Sequence, residues 1–350
     1  MPELVIIHEI GHNYWYHLVA SNEFEEAWLD EGINTFSELQ VVNEKYGPIG
    51  DIVDWLGIKV NDLQLQRGQY LAIPDYDPIV RKAWEFYSNG SYGINSYYKP
   101  GLLLMTLQNY LGKDTMQKIL RTYFTRWRFR HPTTADFISV VNDVAGQDLS
   151  WFLNQALFTN AVLDYSVDRV STKEIEAAKG YDFDLLVVAP DTTSADSSRD
   201  STAQTTSQPM ASLESSDSNA VGKQSPDSAV SKSKKEKMYY SVVSLRRLGS
   251  FTFPVEVEIV FANRDTIREN WDGKDLWKKF YYTKSAELVS ATVDPQRKIL
   301  LDVNFTNNSR NIKAQRLGVN KLAARWLFWM QFLLDQPGFL RLMPSLSIDI

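Results

Sequence analysis

The pentapeptide His8-Glu9-Ile10-Gly11-His12 constrains this chain more than any other stretch, and the apolar run Leu4-Val5-Ile6-Ile7 precedes it. On a helix, residues four apart lie on one face, one turn from each other, so His8 and His12 can direct two imidazoles at one point. Imidazole nitrogens are typical zinc ligands, and a catalytic zinc keeps one position for water. Glu9 lies on the same turn and can accept a proton from that water.

Two histidines leave a zinc shell incomplete, and Glu31 is the predicted third ligand. Eighteen residues separate it from His12, and it lies in the segment Trp28-Leu29-Asp30-Glu31-Gly32. Asn22 predicts a helix start before this segment, and a helix running back beside the first would bring Glu31 to the histidines. A carboxylate then completes a His, His, Glu site for one zinc per chain. His17 lies off the ligand face and is not predicted to be a ligand.

The flanking residues extend this pattern into a family resemblance. The motif, the spacing to Glu31, and the words His12-Asn13-Tyr14-Trp15-Tyr16 and Glu26-Ala27-Trp28-Leu29-Asp30-Glu31-Gly32 resemble the gluzincin zinc aminopeptidases, the aminopeptidase N family. The resemblance covers roughly residues 1–160 well and the rest loosely. It implies a thermolysin-like zinc-peptidase subdomain that acts on peptide substrates. Its implied zinc ligands are His8, His12 and Glu31, and its implied general base is Glu9.

A tyrosine is the remaining catalytic candidate. The segment Ser96-Tyr97-Tyr98-Lys99-Pro100-Gly101 opens an apolar helix over residues 102–111. In the resembled family a Tyr-x-Lys-Gly segment opens the equivalent helix, and its tyrosine hydroxyl stabilises the oxyanion of the tetrahedral intermediate. If Lys99 is aligned with the lysine of the family segment, this role falls to Tyr97. If Gly101 is aligned with the glycine of that segment, the role falls to Tyr98. We assign it to Tyr97, because the lysine and the downstream helix then agree.

The resembled family also carries elements that these 350 residues do not contain. A large β domain precedes its zinc helix, and a Gly-x-Met-Glu-Asn motif binds the free amino terminus of the substrate. We therefore expect this chain to lack the N-terminal domains and, by itself, to bind zinc weakly and hydrolyse little. If this chain is nevertheless active by itself and selects free amino termini, Glu26 or Glu38 would have to bind the amine of the substrate. The alternative function is a truncated, non-catalytic scaffold that binds zinc or peptides.

Composition sets wider limits on function. The net charge of −6 and the pI near 5.4 argue against a nucleic-acid partner. The absence of cysteine excludes disulfides and leaves the redox compartment open. The residues before the motif have neither the basic region nor the cleavage site of a signal peptide. The sequence leaves the localisation open, and a cell-envelope or membrane-associated position of the full-length protein is one possibility. It also leaves the oligomeric state open.

The predicted fold class is multidomain α and β, because the period of the pattern changes along the chain. Residues 1–160 are predicted to form a mostly α-helical catalytic domain, with helices near 24–46, 51–66, 102–111, 114–129 and 135–145. Residues 161–310 are predicted to form a β-sandwich of seven strands: 163–170, 181–185, 240–245, 255–261, 279–283, 287–294 and 300–305. Residues 190–237 are rich in Ser, Thr, Asp, Gln, Ala and Lys and are predicted to be a disordered insertion.

Residues 311–350 are predicted to be a C-terminal helical tail. Its apolar stretch, 322–334, is rich in aromatic residues and includes Arg325. A helix that spans a membrane needs about 20 apolar residues, which is more than this stretch offers. One interpretation is a helix that docks on the rest of the protein. The alternative is membrane association through an interfacial helix.

Overall fold

The computed structural model describes residues 2–47, 52–55, 58–176 and 237–313, together with residue 326. By its contacts the chain divides after Glu174 and again after Lys237, and all helices and sheets described here belong to the same unit. The predicted strand 181–185, nearly all of the predicted insertion and nearly all of the C-terminal tail lie outside the described residues. Within the described residues, no helix is both long and apolar enough to span a membrane.

Helices occupy the first part of the chain, as predicted. In chain order they are α1 Pro2–Trp15, α2 Glu23–Glu26, α3 Glu31–Tyr46, α4 Asp62–Ala72, α5 Asn89–Gly93, α6 Lys99–Leu111, α7 Lys113–Trp127, α8 Thr134–Ala145 and α9 Ser150–Phe158. A 3-10 turn, Ala27–Leu29, lies between α2 and α3, and another, Ala83–Glu85, precedes α5. A π-helical turn, Ile94–Tyr98, joins α5 and α6 into one continuous helix.

Side-chain caps fix several helix starts. Asn61 and Gln64 form a reciprocal capping box at α4, with Gln64 N donating to Asn61 Oδ1 at 2.8 Å and Asn61 N donating to Gln64 Oε1 at 3.1 Å. Thr133 and Asp136 form a second box at α8. The side chain of Asn22 caps α2, as predicted. These bonds use backbone N–H groups that have no partner inside the helix.

Two helix predictions were wrong. The single helix expected over 24–46 is interrupted by the turn Ala27–Leu29, which buries Trp28 completely and lets its Nε1 donate to Thr134 Oγ1 at 2.9 Å. The helix expected over 51–66 is replaced at its start by an antiparallel pair, β1 Val53–Trp55 and β2 Ile58–Val60. Valine and isoleucine favour strands, and the cap at Asn61 then begins α4.

Helix α6 lies at the centre of the helical part. Leu102, Leu103, Leu104 and Leu107 are all fully buried, so this helix is surrounded by protein on every side. Trp28 packs edge-on against Phe137, with ring centroids 5.3 Å apart.

Seven further strands follow the helices, and all of them pair antiparallel. They are β3 Tyr165–Glu174, β4 Tyr239–Arg247, β5 Val255–Phe261, β6 Thr266–Trp271, β7 Trp277–Lys284, β8 Leu288–Val293 and β9 Ser309–Asn311. One sheet has the order β3-β4-β7, and the other has the order β6-β5-β8-β9. The chain therefore combines helices with antiparallel sheets, as predicted. The domain boundaries at 160 and 310 stay predictions.

The two sheets face each other across a shared core. Strand β5 alternates between buried and half-buried side chains, as expected for a strand with one face on a core. Tyr165 and Trp271 bring rings from the two sheets to 5.1 Å, and Phe261 and Tyr282 do so at 5.7 Å.

After residue 160 the strand predictions differ from the structure in three places, one of which is that the short strand β9 was not predicted. The stretch 300–305 forms only an isolated bridge, at Asp302. Its backbone bonds to helix side chains instead, because Leu300 N donates to Thr106 Oγ1 at 3.1 Å and Tyr70 OH donates to Leu301 O at 3.1 Å. Strand β6 was not predicted, since its sequence is mostly polar and only Trp271 is buried.

The close packing of α3 on α6 depends on Gly32. A Cβ at this position would lie 2.5 Å from Pro100 Cβ and 3.1 Å from the carbonyl oxygen of Ser96. We expect Gly32→Ala to lower the free energy of unfolding by about 1–3 kcal/mol through overpacking. Gly68→Ala is the matched control on α4, where a Cβ would meet nothing within 4 Å. It should raise stability by roughly 0.5–1 kcal/mol. Urea unfolding of both variants measures the difference, and equal midpoints would refute the close approach.

Candidate active site

The structure brings His8, His12 and Glu31 together. The histidines lie one turn apart on α1, and Glu31 is the first residue of α3. Glu31 Oε2 lies 3.1 Å from His8 Nε2 and 3.3 Å from His12 Nε2. One ligand atom from each residue falls within 4.8 Å of the others, and among the described residues this is the cluster that could hold a metal ion.

These distances fit a metal ion. Two ligands about 2.1 Å from a tetrahedral zinc lie about 3.4 Å apart, close to the two measured separations. The donor set of two imidazole nitrogens and one carboxylate oxygen is a usual zinc set. The residues present therefore fit zinc.

Contacts between α1 and α3 hold the ligands in register. Asn34 Nδ2 donates to the carbonyl oxygen of His8 at 2.7 Å. Gly11 allows this approach, because a Cβ there would lie 1.8 Å from Asn34 Oδ1. Residue 11 thus lies where the two helices come closest.

Glu38 supports the first ligand from behind. It lies on α3, seven residues after Glu31, and its Oε2 accepts from His8 Nδ1 at 3.1 Å. Burial lowers the pKa of His8, but hydrogen bonds to Glu31 and Glu38 outweigh it and raise the pKa to about 9. A carboxylate on Nδ1 fixes the ring orientation and leaves Nε2 for a metal.

Tyr97 approaches the same carboxylate from the other side. Its hydroxyl donates to Glu31 Oε1 at 2.7 Å, and its ring stacks on His8 at 5.8 Å. Burial raises the pKa of Glu31, but hydrogen bonds from His12, His8 and Tyr97 outweigh it and lower the pKa to about 2. Burial and the bond to Glu31 raise the pKa of the Tyr97 hydroxyl, so this hydroxyl keeps its proton at neutral pH.

A hydrogen bond at the π-helical turn distinguishes the two candidate tyrosines. Both Tyr97 and Tyr98 lie within it, but the hydroxyl bonded to Glu31 is that of Tyr97. π-Helical turns are rare in proteins, but many of those that do occur lie at functional sites. The catalytic assignment of Tyr97 over Tyr98 stays a prediction, and the geometry favours it.

Glu9 is exposed beside the ligands. It lines an open cleft of about 270 Å³ together with His8, Glu38 and Tyr97. Leu4 and Val5 of α1 and Leu65 of α4 form an apolar wall of the same cleft. The carboxylate of Glu9 is therefore available to a molecule that enters beside the histidines.

Asn34 and Asp30 near the site were not predicted to have a role there, and Glu38 was named only as a possible partner of the substrate's amine. Glu38 could have been found from its spacing, since residues seven apart share a helix face. No pattern in the sequence indicated a role for Asn34. Asp30 is buried, and burial and the charge of Glu31 raise the pKa of its carboxyl to about 7. The carboxylate of Glu26 accepts from Thr134 N at 2.8 Å, so this group is already engaged in the structure.

A family model and several known proteins match the first part of the chain. The model of the peptidase family M1 domain matches residues 2–156. Leucine aminopeptidase 2 of Coccidioides immitis is 26% identical over 148 residues, which cover 41% of this chain and 23% of that protein. Aminopeptidase N of Escherichia coli is 26% identical over 153 residues, which cover 43% of this chain and 17% of that protein.

The chain thus spans less than a quarter of the length of these two relatives. Among solved structures, it is similar to aminopeptidase A of Legionella pneumophila in complex with aspartic acid. That comparison gives a TM-score of 0.48 and 13% identity, over 85% of this chain and 26% of the other. The family model, the motif and the relatives agree, so the resemblance of residues 2–156 to the gluzincin aminopeptidases is confirmed through their match to the peptidase family M1 domain.

Proposed function

We propose that this chain carries the catalytic site of a zinc-dependent aminopeptidase that hydrolyses N-terminal peptide bonds. The observation that supports the proposal is the meeting of His8, His12 and Glu31 beside the exposed carboxylate of Glu9 and the hydroxyl of Tyr97. The site would lie in a thermolysin-like helical subdomain.

His8, His12 and Glu31 would hold one zinc ion per chain. When bound, the ion supplies Lewis-acid polarisation of the scissile carbonyl and makes water a better nucleophile. Glu38 keeps His8 in the orientation that presents Nε2 to the ion, through the 3.1 Å bond to Nδ1. Three polar side chains thus converge from two helices, and a fourth orients one of them.

Glu9 accepts the proton of the attacking water and later donates it to the leaving amine. It can do both because it lies exposed in the cleft next to the ligands. Tyr97 keeps its proton and donates a hydrogen bond to the negative charge that develops on the oxygen of the scissile carbonyl. A donor directed at such a charge contributes about 3 kcal/mol to lowering the barrier.

The experiment that tests the function is hydrolysis of an amino-acid anilide by the zinc-loaded chain. We expect only low turnover from this chain by itself, and we expect a peptide to be cleaved faster than its N-acetylated twin, because an aminopeptidase must recognise the free ammonium. Equal cleavage of the two peptides would reject the aminopeptidase assignment and leave a zinc endopeptidase. Zinc binding without any turnover would support the alternative, a non-catalytic scaffold.

The role of Glu38 has its own test. Glu38→Gln keeps the shape of the side chain but removes the charge that supports His8. We expect zinc affinity to fall about 10- to 100-fold, the usual effect of losing such a partner. Glu44→Gln, an exposed change two turns further along α3, is the matched control. Competition with a chromophoric chelator measures both affinities, and an unchanged affinity in Glu38→Gln would contradict the proposed role.

A further inference from the structure

Resting on the proposed function, we infer that Asp77 is a positioning residue for Tyr97. Asp77 lies in the segment between α4 and α5 and is 1% exposed. It organises a polar cluster, the Asp77 cluster, which consists of Asp77, Arg81, Ser91, Asn95 and Lys99. All of these residues except the partly exposed Arg81 are buried. The cluster is attached to the helix that carries Tyr97 both before and after the tyrosine.

The attachment before Tyr97 runs through Ser91. Ser91 Oγ donates to Asp77 Oδ2 at 2.5 Å, and Tyr87 N donates to the same oxygen at 2.9 Å. Asn95, in the π-helical turn, donates from Nδ2 to the carbonyl oxygen of Ser91 at 2.9 Å and to Ser91 Oγ at 3.3 Å. The carboxylate is thereby connected to a residue two positions before Tyr97.

The attachment after Tyr97 runs through Lys99. This lysine is 4% exposed, and its Nζ donates to the carbonyl oxygens of Pro74 at 3.3 Å and Asp77 at 3.4 Å. A buried ammonium is unfavourable unless it is bonded, so these contacts restrict where the side chain can lie. Lys99 therefore ties the residue two positions after Tyr97 to the same loop.

The charge on Asp77 holds the loop itself in place. Arg81 Nη1 donates to Asp77 Oδ1 at 2.5 Å, so both oxygens of the carboxylate are bonded. A carboxylate that accepts several bonds from charged and neutral donors is a strong and directional anchor. The π-helical turn is thus fixed on both sides of Tyr97 by one loop.

This arrangement has a consequence for the hydroxyl. Tyr97 OH must lie where it can reach the oxyanion, and a displacement of about 1 Å in such a group can reduce turnover about a hundredfold. The bonds of the Asp77 cluster act on the backbone two residues to either side of Tyr97. Loosening them should therefore change kcat much more than KM.

The test uses Asp77→Asn and Ser91→Ala in the zinc-loaded full chain. In Asp77→Asn, the amide N–H₂ group would face hydrogen-bond donors where a carboxylate oxygen now accepts. Ser91→Ala removes one hydrogen bond to Asp77 and keeps a small buried residue. We expect kcat to fall about 10- to 100-fold for Asp77→Asn and about tenfold for Ser91→Ala, with KM and zinc content within about twofold of wild type. Thr106→Val is the matched control, because it removes a buried hydroxyl from α6 away from the site.

A second background separates positioning from general damage. With Tyr97→Phe already in place, Ser91→Ala should lower kcat less than about twofold, since the group on which it acts is gone. An equal fall of kcat in both backgrounds would overturn the inference, and so would a folded Ser91→Ala variant with wild-type kcat.

A readout without turnover distinguishes failure of the inference from failure of the proposed function. We would place 3-fluorotyrosine at position 97 and record its fluorine NMR resonance. The resonance should shift or broaden in Asp77→Asn and Ser91→Ala and stay unchanged in Thr106→Val. If the wild-type chain proves inactive, the proposed function fails, while the resonance still decides whether the Asp77 cluster positions Tyr97. An unchanged resonance in both cluster variants would overturn the inference.

Discussion

Replacing Glu9 with glutamine should lower turnover at least about a hundredfold and leave zinc binding intact. Glu9 lies beside the ligands but is separate from the cluster formed by His8, His12 and Glu31. Loss of a general base typically reduces rates by about 10²- to 10⁴-fold, and glutamine keeps the shape of the side chain. The measurement is kcat on an amino-acid anilide, together with zinc content by atomic spectroscopy.

Glu3→Gln is the matched control for this variant. Glu3 lies on the same helix and pairs with Lys45 at the surface, where both side chains are about half exposed. An exposed pair of this kind contributes at most about 1 kcal/mol, so kcat should stay near the wild-type value. A Glu9→Gln protein with nearly normal kcat would reject the assignment of the base. A Glu9→Gln protein that loses its zinc would instead show that Glu9 acts as a ligand.

Removing any one of the three ligands should have the second large effect. His8→Ala, His12→Ala and Glu31→Ala each leave two protein donors, one fewer than catalytic zinc sites use. We expect zinc affinity to fall by more than the roughly 10- to 100-fold that loss of an orienting partner gives. Isothermal titration of the metal-free variants with zinc measures the affinities, and turnover should fall in parallel.

His17→Ala provides the control for a general effect of losing a histidine. His17 is exposed, and its ring packs beside Tyr16 outside the cluster. Its removal should leave both zinc affinity and turnover unchanged. Unchanged zinc affinity in His8→Ala or His12→Ala would refute the metal site, whatever the activity of the variants.

The ligand cluster could be predicted because its signals are short in sequence. Two histidines four apart on a helix must share a face, and only the short helix α2 and the turn Ala27–Leu29 separate α1 from α3. The cap at Asn22 was found for the same reason, since a cap and the helix it starts are neighbours in the chain. Such local rules need no knowledge of the tertiary fold.

Other features depend on partners that are distant in sequence. The stretch after Leu300 has the apolar composition of a strand, but its backbone groups bond to Thr106 and Tyr70 on two helices. Trp28 interrupts a helical pattern because it is buried against Phe137. Neither contact can be read from the local sequence, so tertiary packing overrode local propensity at both positions.

The π-helical turn at Ile94–Tyr98 implies that the length of this helix matters as much as its composition. A π turn closes hydrogen bonds five residues apart where an α-helix closes them four apart, so it accommodates one extra residue within the helix. Deleting a single residue inside the turn would let a regular α-helix form through this region. Ser91 and Lys99 would roughly keep their relative orientation, but the widened turn that carries the Tyr97 hydroxyl to Glu31 would be lost. A one-residue deletion, which keeps every other side chain, should therefore do more harm here than most substitutions.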